Sequence, residues 1–225
     1  NGDRENTTLW AQVTGVSGVS AVSAGNLHTC AYVEGTGISC WGRNDYGQLG
    51  VGDTLRSAAV VAVPGVTDEL SVAVGSSHAC ALDSAGTVRC WGRALDGALG
   101  VAPNPEEIAP EMLGPITVSD LTGVSAVYSG ENRTCAKSGT SMLCWGSDGD
   151  GLLGNGTAES QPVPAAITEL VADPLGISLG DNHTCAVDSA GAVYCWGSNN
   201  RNALGIDGGS TTTATLATAT ELVVV

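Results

Sequence analysis

The chain has 225 residues, a formal net charge of −15 and a pI near 4.2. Its eight basic residues are too few for the positive surface a phosphate backbone requires, and no apolar run approaches the ~18 residues of a membrane helix, so nucleic-acid binding and membrane insertion are excluded. Apolar residues make up 43%, mostly Val, Ala and Leu, with 4% aromatics, no Phe and 32 Gly; that mixture suits many short strands and tight turns, not large helices.

In chain order the sequence is a repeat. Residues 1–24 read as part of a unit followed by a first strand at Val19–Ala24. Four similar stretches then begin at Gly25 (GNLHTCAYVEGTGISCWG), Gly75 (GSSHACALDSAGTVRCWG), Gly130 (GENRTCAKSGTSMLCWG) and Gly180 (GDNHTCAVDSAGAVYCWG), with starts 50, 55 and 50 residues apart. The repeats therefore run 25–74, 75–129, 130–179 and 180–225, the last extending into the start of a further unit. In each, a strand is expected from His28, His78, Arg133 or His183, then a turn, then a strand ending at Trp-Gly. A third apolar stretch follows at Ala58–Val63, Ile116–Val118 and Val163–Ile167, and strands at Leu70–Val74, Val124–Ser129 and Leu175–Leu179 lead into the next unit. Four short antiparallel strands in ~50 residues make one β-propeller blade. The expected fold is all-β, with about four blades plus a partial one.

The turns carry their own chemistry. Gly139-Thr140 fits a two-residue type II′ hairpin, and Asp83-Ser84-Ala85-Gly86 and Asp188-Ser189-Ala190-Gly191 fit longer loops with a left-handed glycine. After each Trp-Gly comes a second fixed element, RNDYGQLG, RALDGALG, SDGDGLLG or SNNRNALG, whose fifth position is Gly47, Gly97, Gly151 or Asn202. Glycine and asparagine share a tolerance of positive φ, so a left-handed residue is expected there in every blade.

The eight cysteines pair within hairpins: Cys30 with Cys40, Cys80 with Cys90, Cys135 with Cys144, and Cys185 with Cys195. In a register centred on each turn the two face each other, with Cα atoms ~4.5–5.5 Å apart, within disulfide range. Zinc sites instead use closely spaced pairs, and redox sites use Cys-x-x-Cys; the sequence has neither. Four disulfides with no cysteine left over point to an oxidising compartment, that is, a secreted, periplasmic or cell-surface protein.

The G-x-x-H-[ST]-C-A … C-W-G … G-x-L-G pattern resembles the regulator of chromosome condensation repeat family, in particular its cysteine-paired bacterial branch. That resemblance implies a β-propeller, usually of seven blades, with a protein partner and no cofactor. Light sensing within the family relies on tryptophans near G-x-x-H; here those positions are Asn26-Leu27, Ser76-Ser77, Glu131-Asn132 and Asp181-Asn182. Four units are fewer than seven. Moreover, Asn1-Gly2-Asp3 aligns with Asn155-Gly156-Thr157, and the final Glu221-Leu222-Val223 with Glu169-Leu170-Val171. Both ends thus carry the same portion of a unit, as expected of an open array, a segment of a longer chain, or closure by another copy.

His28, His78 and His183, with Arg133 at the same position, read as a repeated structural hydrogen bond rather than as catalytic bases. Trp41, Trp91, Trp145 and Trp196 read as packing between blades. No acid, base or nucleophile constellation appears, so no enzyme activity is expected. Asp148 and Asp150 form a weak calcium candidate that lacks the bidentate Glu of a calcium loop. The loops after Trp-Gly vary most and should share one face: Arg43, Asn44, Asp45 and Tyr46; Arg93, Leu95 and Asp96; Asp148 and Asp150; Asn199, Asn200 and Arg201. They are the candidate surface for a protein partner. The alternative is a structural building block of a longer surface protein or filament, joined through terminal edge strands, with further copies of the chain as partners. The Pro- and Glu-rich stretch from Pro103 to Glu111 is expected to protrude.

Overall fold

The computed structural model describes residues 9–102, 111–168, 173–206 and 208–216; all of the predicted protrusion except Glu111 lies outside them. The described chain forms sixteen strands in four antiparallel sheets. Blade 1 comprises β1 (Val19–Ala24), β2 (His28–Val33), β3 (Gly37–Gly42) and β4 (Ser57–Ala62); blade 2 comprises β5 (Glu69–Val74), β6 (His78–Asp83), β7 (Val88–Arg93) and β8 (Glu111–Thr117). Blade 3 comprises β9 (Val124–Gly130), β10 (Arg133–Ser138), β11 (Ser141–Gly146) and β12 (Gln161–Ala166); blade 4 comprises β13 (Pro174–Leu179), β14 (His183–Asp188), β15 (Val193–Gly197) and β16 (Thr211–Leu216). Each sheet is an up-and-down meander in chain order. The sheet and the sequence repeat are out of phase by one strand, because each sheet starts before the glycine that opens the repeat.

The inner strands touch in series, with β5 against β1, β9 against β5 and β13 against β9. The turns follow the expected chemistry. Gly139 has φ 58° and Thr140 is not in the left-handed region, as a type II′ hairpin requires. In the longer loops Asp83 Oδ1 accepts the amides of Ala85 (3.0 Å) and Thr87 (2.8 Å), and Asp188 Oδ1 those of Ala190 (2.9 Å) and Ala192 (2.8 Å), with Gly86 and Gly191 both at φ 82°. Two strands differ from expectation. β8 begins at Glu111, well before the apolar stretch at Ile116, and β16 is threonine-rich with no apolar run to announce it.

All four cysteine pairs form disulfides across directly opposed residues of the second and third strands, with Cα atoms 4.1 Å apart. Each bridge in blades 1 to 3 shares a buried apolar cluster with the tryptophan of the following blade: Cys30–Cys40 with Trp91, Cys80–Cys90 with Trp145, and Cys135–Cys144 with Trp196. The register between third and fourth strands shifts at the tryptophan in every blade. Such a bulge re-aims a side chain, and here the ring is delivered to the neighbouring blade.

Candidate loop-face site

The loop after Trp-Gly is shaped by its second residue. In blade 1 the Asn44 Oδ1 accepts the Leu49 amide (2.9 Å), while Nδ2 donates to the Asp53 carbonyl (2.9 Å), Asp53 Oδ1 (3.1 Å) and the Leu55 carbonyl (3.1 Å). In blade 4 Asn199 does the same with Leu204 (3.0 Å), Ile206 (3.2 Å) and Gly208 (2.8 Å). Blade 2 has Ala94 at this position, and blade 3 has Asp148. The turn residues Gly47 (φ 73°), Gly97 (φ 81°), Gly151 (φ 74°) and Asn202 (φ 60°) are all left-handed, as expected.

The glycines have a second reason that only packing reveals. A Cβ at Gly47, Gly97 or Gly151 would lie 2.7, 2.3 or 2.6 Å from Leu113, Pro162 or Thr212, on the outer strand of the next blade. The closing glycine of the element also makes room: a Cβ at Gly50, Gly100 or Gly154 would reach 2.8, 2.8 or 2.7 Å from the ring of Trp91, Trp145 or Trp196. Each of these rings donates its Nε1–H to a backbone carbonyl of the preceding blade, Gln48 (3.0 Å), Ala98 (3.0 Å) or Leu152 (2.9 Å). The Ala98 and Leu152 carbonyls also accept Thr134 Oγ1 (3.2 Å) and Thr184 Oγ1 (2.9 Å). The G-x-L-G element is therefore the socket for the next blade.

On this scaffold the structure brings Tyr46, Arg43 and Arg93 together across blades 1 and 2. The Arg43 and Arg93 guanidinium carbons lie 5.5 and 4.7 Å from the Tyr46 ring centroid, within cation–π range. Asp45 binds Arg43 Nε (2.7 Å) and an Arg56 nitrogen (3.2 Å); these contacts, led by the Arg43 hydrogen bond, hold its carboxyl below the usual range. The sequence motif does not single out Arg56, because it lies ten residues beyond Tyr46. Three of the chain's eight basic residues thus meet at one edge of an acidic protein.

The other predicted loop residues stay apart from this cluster. Asp96 and Arg201 sit at equivalent left-handed positions (φ 54° and 60°) and are exposed, as are Asp150 and Asn200. Asp148 does not reach the surface: it is buried, with Oδ1 accepting the Leu153 amide at 2.9 Å. Among the described residues no group of three or more His, Cys, Asp or Glu is arranged to hold a metal ion, Asp148 and Asp150 included. No described helix is long and apolar enough to cross a membrane.

The histidines serve the inter-blade seam. His78 Nε2 meets Thr134 Oγ1 of the next blade at 2.9 Å, and the Arg133 guanidinium donates to the carbonyls of Gly180, Asp181 (3.3 Å) and His183 (3.1 Å) in blade 4. Burial lowers the pKa of His78 to about 3, helped by His28. Burial also lowers that of His28 to about 4, against a weaker opposing effect of the His78 backbone. Both imidazoles are neutral at physiological pH, tuned for packing rather than for proton transfer at pH 7.

Comparison with known proteins agrees with this architecture. The chain is 29% identical over 193 residues to the Ultraviolet-B receptor UVR8 of Arabidopsis thaliana, covering 84% of this chain and 31% of the receptor. Its fold matches Prp20p of Saccharomyces cerevisiae (TM-score 0.80, 19% identity, 92% of this chain and 52% of Prp20p) and human WBSCR16 (TM-score 0.75, 21% identity, 88% and 51%). The chain thus spans under a third of the plant receptor and about half of the two solved proteins. Profiles of the Regulator of chromosome condensation (RCC1) repeat match residues 19–48, 70–97 and 176–203, and also 40–82 and 141–187. With these matches spanning 19–97 and 141–203, the chain belongs to the Regulator of chromosome condensation (RCC1) repeat family.

Proposed function

We propose that these blades bind a protein partner through the loops that follow Trp-Gly, outside the reducing cytosol, with Tyr46, Arg43 and Arg93 at the centre of the contact. The observation that carries this reading is the Arg–Tyr–Arg stack. Two blades contribute to it, it is half-buried before any partner arrives, and Tyr and Arg are the residue types that dominate interface energies. Asp96, Asp150, Asn200 and Arg201 extend the same face as its polar rim. The compartment follows from four disulfides with no free cysteine, because such bonds persist where thiols are not kept reduced. Prp20p, which shares the fold, is described with its binding to Gsp1p and histones and in complex with Kap60; protein binding is likewise the role proposed here.

The test is affinity for a partner captured under non-reducing conditions. Tyr46→Ala and Arg93→Ala are each expected to weaken binding roughly tenfold or more without altering the circular dichroism spectrum. Unchanged affinity in both variants would remove the loop face from consideration.

A second reading, that the blades are a structural building block of a longer surface protein or filament, rests on Trp41. Trp91, Trp145 and Trp196 are fully buried against the preceding blade, whereas Trp41 is half-exposed. With Thr29 it presents the pair of donors that, in blades 3 and 4, share one carbonyl. The matching carbonyl in blade 4 is that of Ala203. Asn202 opposes this reading, because it carries a Cβ where the three sockets used inside the chain have glycine.

A further inference from the structure

Blade 3 holds a carboxyl group, Asp148, where blades 1 and 4 hold the amides of Asn44 and Asn199. Residues 44–57 and 148–161 correspond without a gap, since Gly42 pairs with Ser57 as Gly146 pairs with Gln161. The carbonyls that Asn44 reaches, those of Asp53 and Leu55, therefore correspond to those of Thr157 and Glu159. Asp148 keeps half of the arrangement through Oδ1. Its Oδ2 is buried and has no hydrogen-bond partner. By the correspondence with Asn44, an ionised oxygen there would meet carbonyl oxygens with no hydrogen to share, which is unfavourable in a site removed from water. The Thr157 hydroxyl donates to Asn155 Oδ1 at 2.9 Å and also acts on the Asp148 carboxyl, favouring its ionised form by less than burial opposes it.

We propose that Asp148 is a proton-operated latch on the third-blade loop. Protonated, its Oδ2–H donates to a carbonyl of the returning loop, as the Asn44 and Asn199 amides do. Ionised, it leaves that carbonyl unpaired and loosens the loop that displays Asp150. The charge acting on it from another strand is Arg133 of β10, which favours ionisation and is itself flanked by Glu131 and Asp181; Asp150 and Glu159, on its own loop, are exposed. Burial outweighs the Leu153 and Leu152 amides, the arginine and the Thr157 hydroxyl, and places the titration at about pH 6. The loop is thus locked in mildly acidic surroundings and released at neutral pH. This inference stands independently of the partner proposed above.

The sign is fixed by linkage. A carboxyl whose folded pKa is raised contributes stability that is fully present below about 3.8 and lost as pH rises through about 6. Thermal unfolding of the wild type and of Asp148→Asn should therefore coincide near pH 4. The variant should pull ahead as pH rises and stay ahead above pH 7, by roughly 5 °C or more. At pH 7 the loop amides from Leu153 to Glu159 should exchange more slowly in Asp148→Asn than in the wild type. Transplanting the feature with Asn44→Asp should give blade 1 the same loss of stability with rising pH, which keeps the idea testable if the first variant folds poorly. A difference of equal size at every pH overturns the latch. So does a wild-type melting temperature at pH 7 that rises with added calcium and falls with chelator while Asp148→Asn ignores both, since a cation would then fill the slot.

Discussion

At the scale of single residues, blade-to-blade attachment concentrates at Thr134. Its hydroxyl meets His78 Nε2 (2.9 Å) and Ser129 Oγ (3.3 Å) and donates to the Ala98 carbonyl (3.2 Å), all within a buried seam. The corresponding residue of blade 2 is Ala79, and there His28 is left with neither ring nitrogen hydrogen-bonded. Thr134→Val is therefore expected to destabilise the protein by about 1–3 kcal/mol, by leaving a buried imidazole unpaired, and Ala79→Thr to gain about 1 kcal/mol. Denaturant midpoints with unchanged slopes check both. The lowered pKa values of His28 and His78 add a pH arm. Their contribution is complete above the ordinary value of 6.5 and is lost as pH falls toward about 4 and about 3. Repetition marks this position as structural, but the repeated hydrogen bond forms at His78 and Arg133 and not at His28, and its partners, 47 to 56 residues away, are named by no local pattern.

At the scale of elements, the hairpin and its disulfide form the unit the sequence describes best. Equal spacing on either side of a turn places two cysteines in one opposed pair, and period-two geometry leaves no other arrangement. Each bridge closes a short loop, so removing one as Cys135→Ala with Cys144→Ala is expected to cost roughly 2–3 kcal/mol. The melting temperature of that double variant, set against the non-reduced parent, measures the effect, and intact mass after alkylation without reductant should show no free thiol. The outer strands are harder to read. β12 is announced by an apolar stretch, whereas β8 and β16 hold their places through pairing to β7 and β15. An outer strand with one exposed face needs little apolar sequence, so composition gives it no voice.

At the scale of the whole molecule, blades 2 to 4 each fit into a socket on the blade before, and in blade 1 the corresponding Trp41 is half-exposed. In self-association, Trp41 Nε1 and Thr29 Oγ1 of one copy would meet the Ala203 carbonyl of another, and the Asn202 side chain would press on Ala58, which corresponds to Leu113, Pro162 and Thr212. Asn202→Gly should then raise the average mass seen by light scattering across a concentration series, and Trp41→Ala should abolish the rise. A monomer throughout, in both variants, eliminates self-association through this joint.

The repeat, the four-stranded unit, the disulfide pairing and the left-handed turns are all written in the chain itself, because each depends on residues within a few positions of one another. Three features come from folding alone: Tyr46 lies between arginines of two blades, Asp148 is buried while Asp150 is exposed, and the motif glycines make room for the next blade. The first and last depend on contacts between neighbouring blades, where spacing along the chain says nothing about which side chains meet, and the second on how one loop folds back on itself.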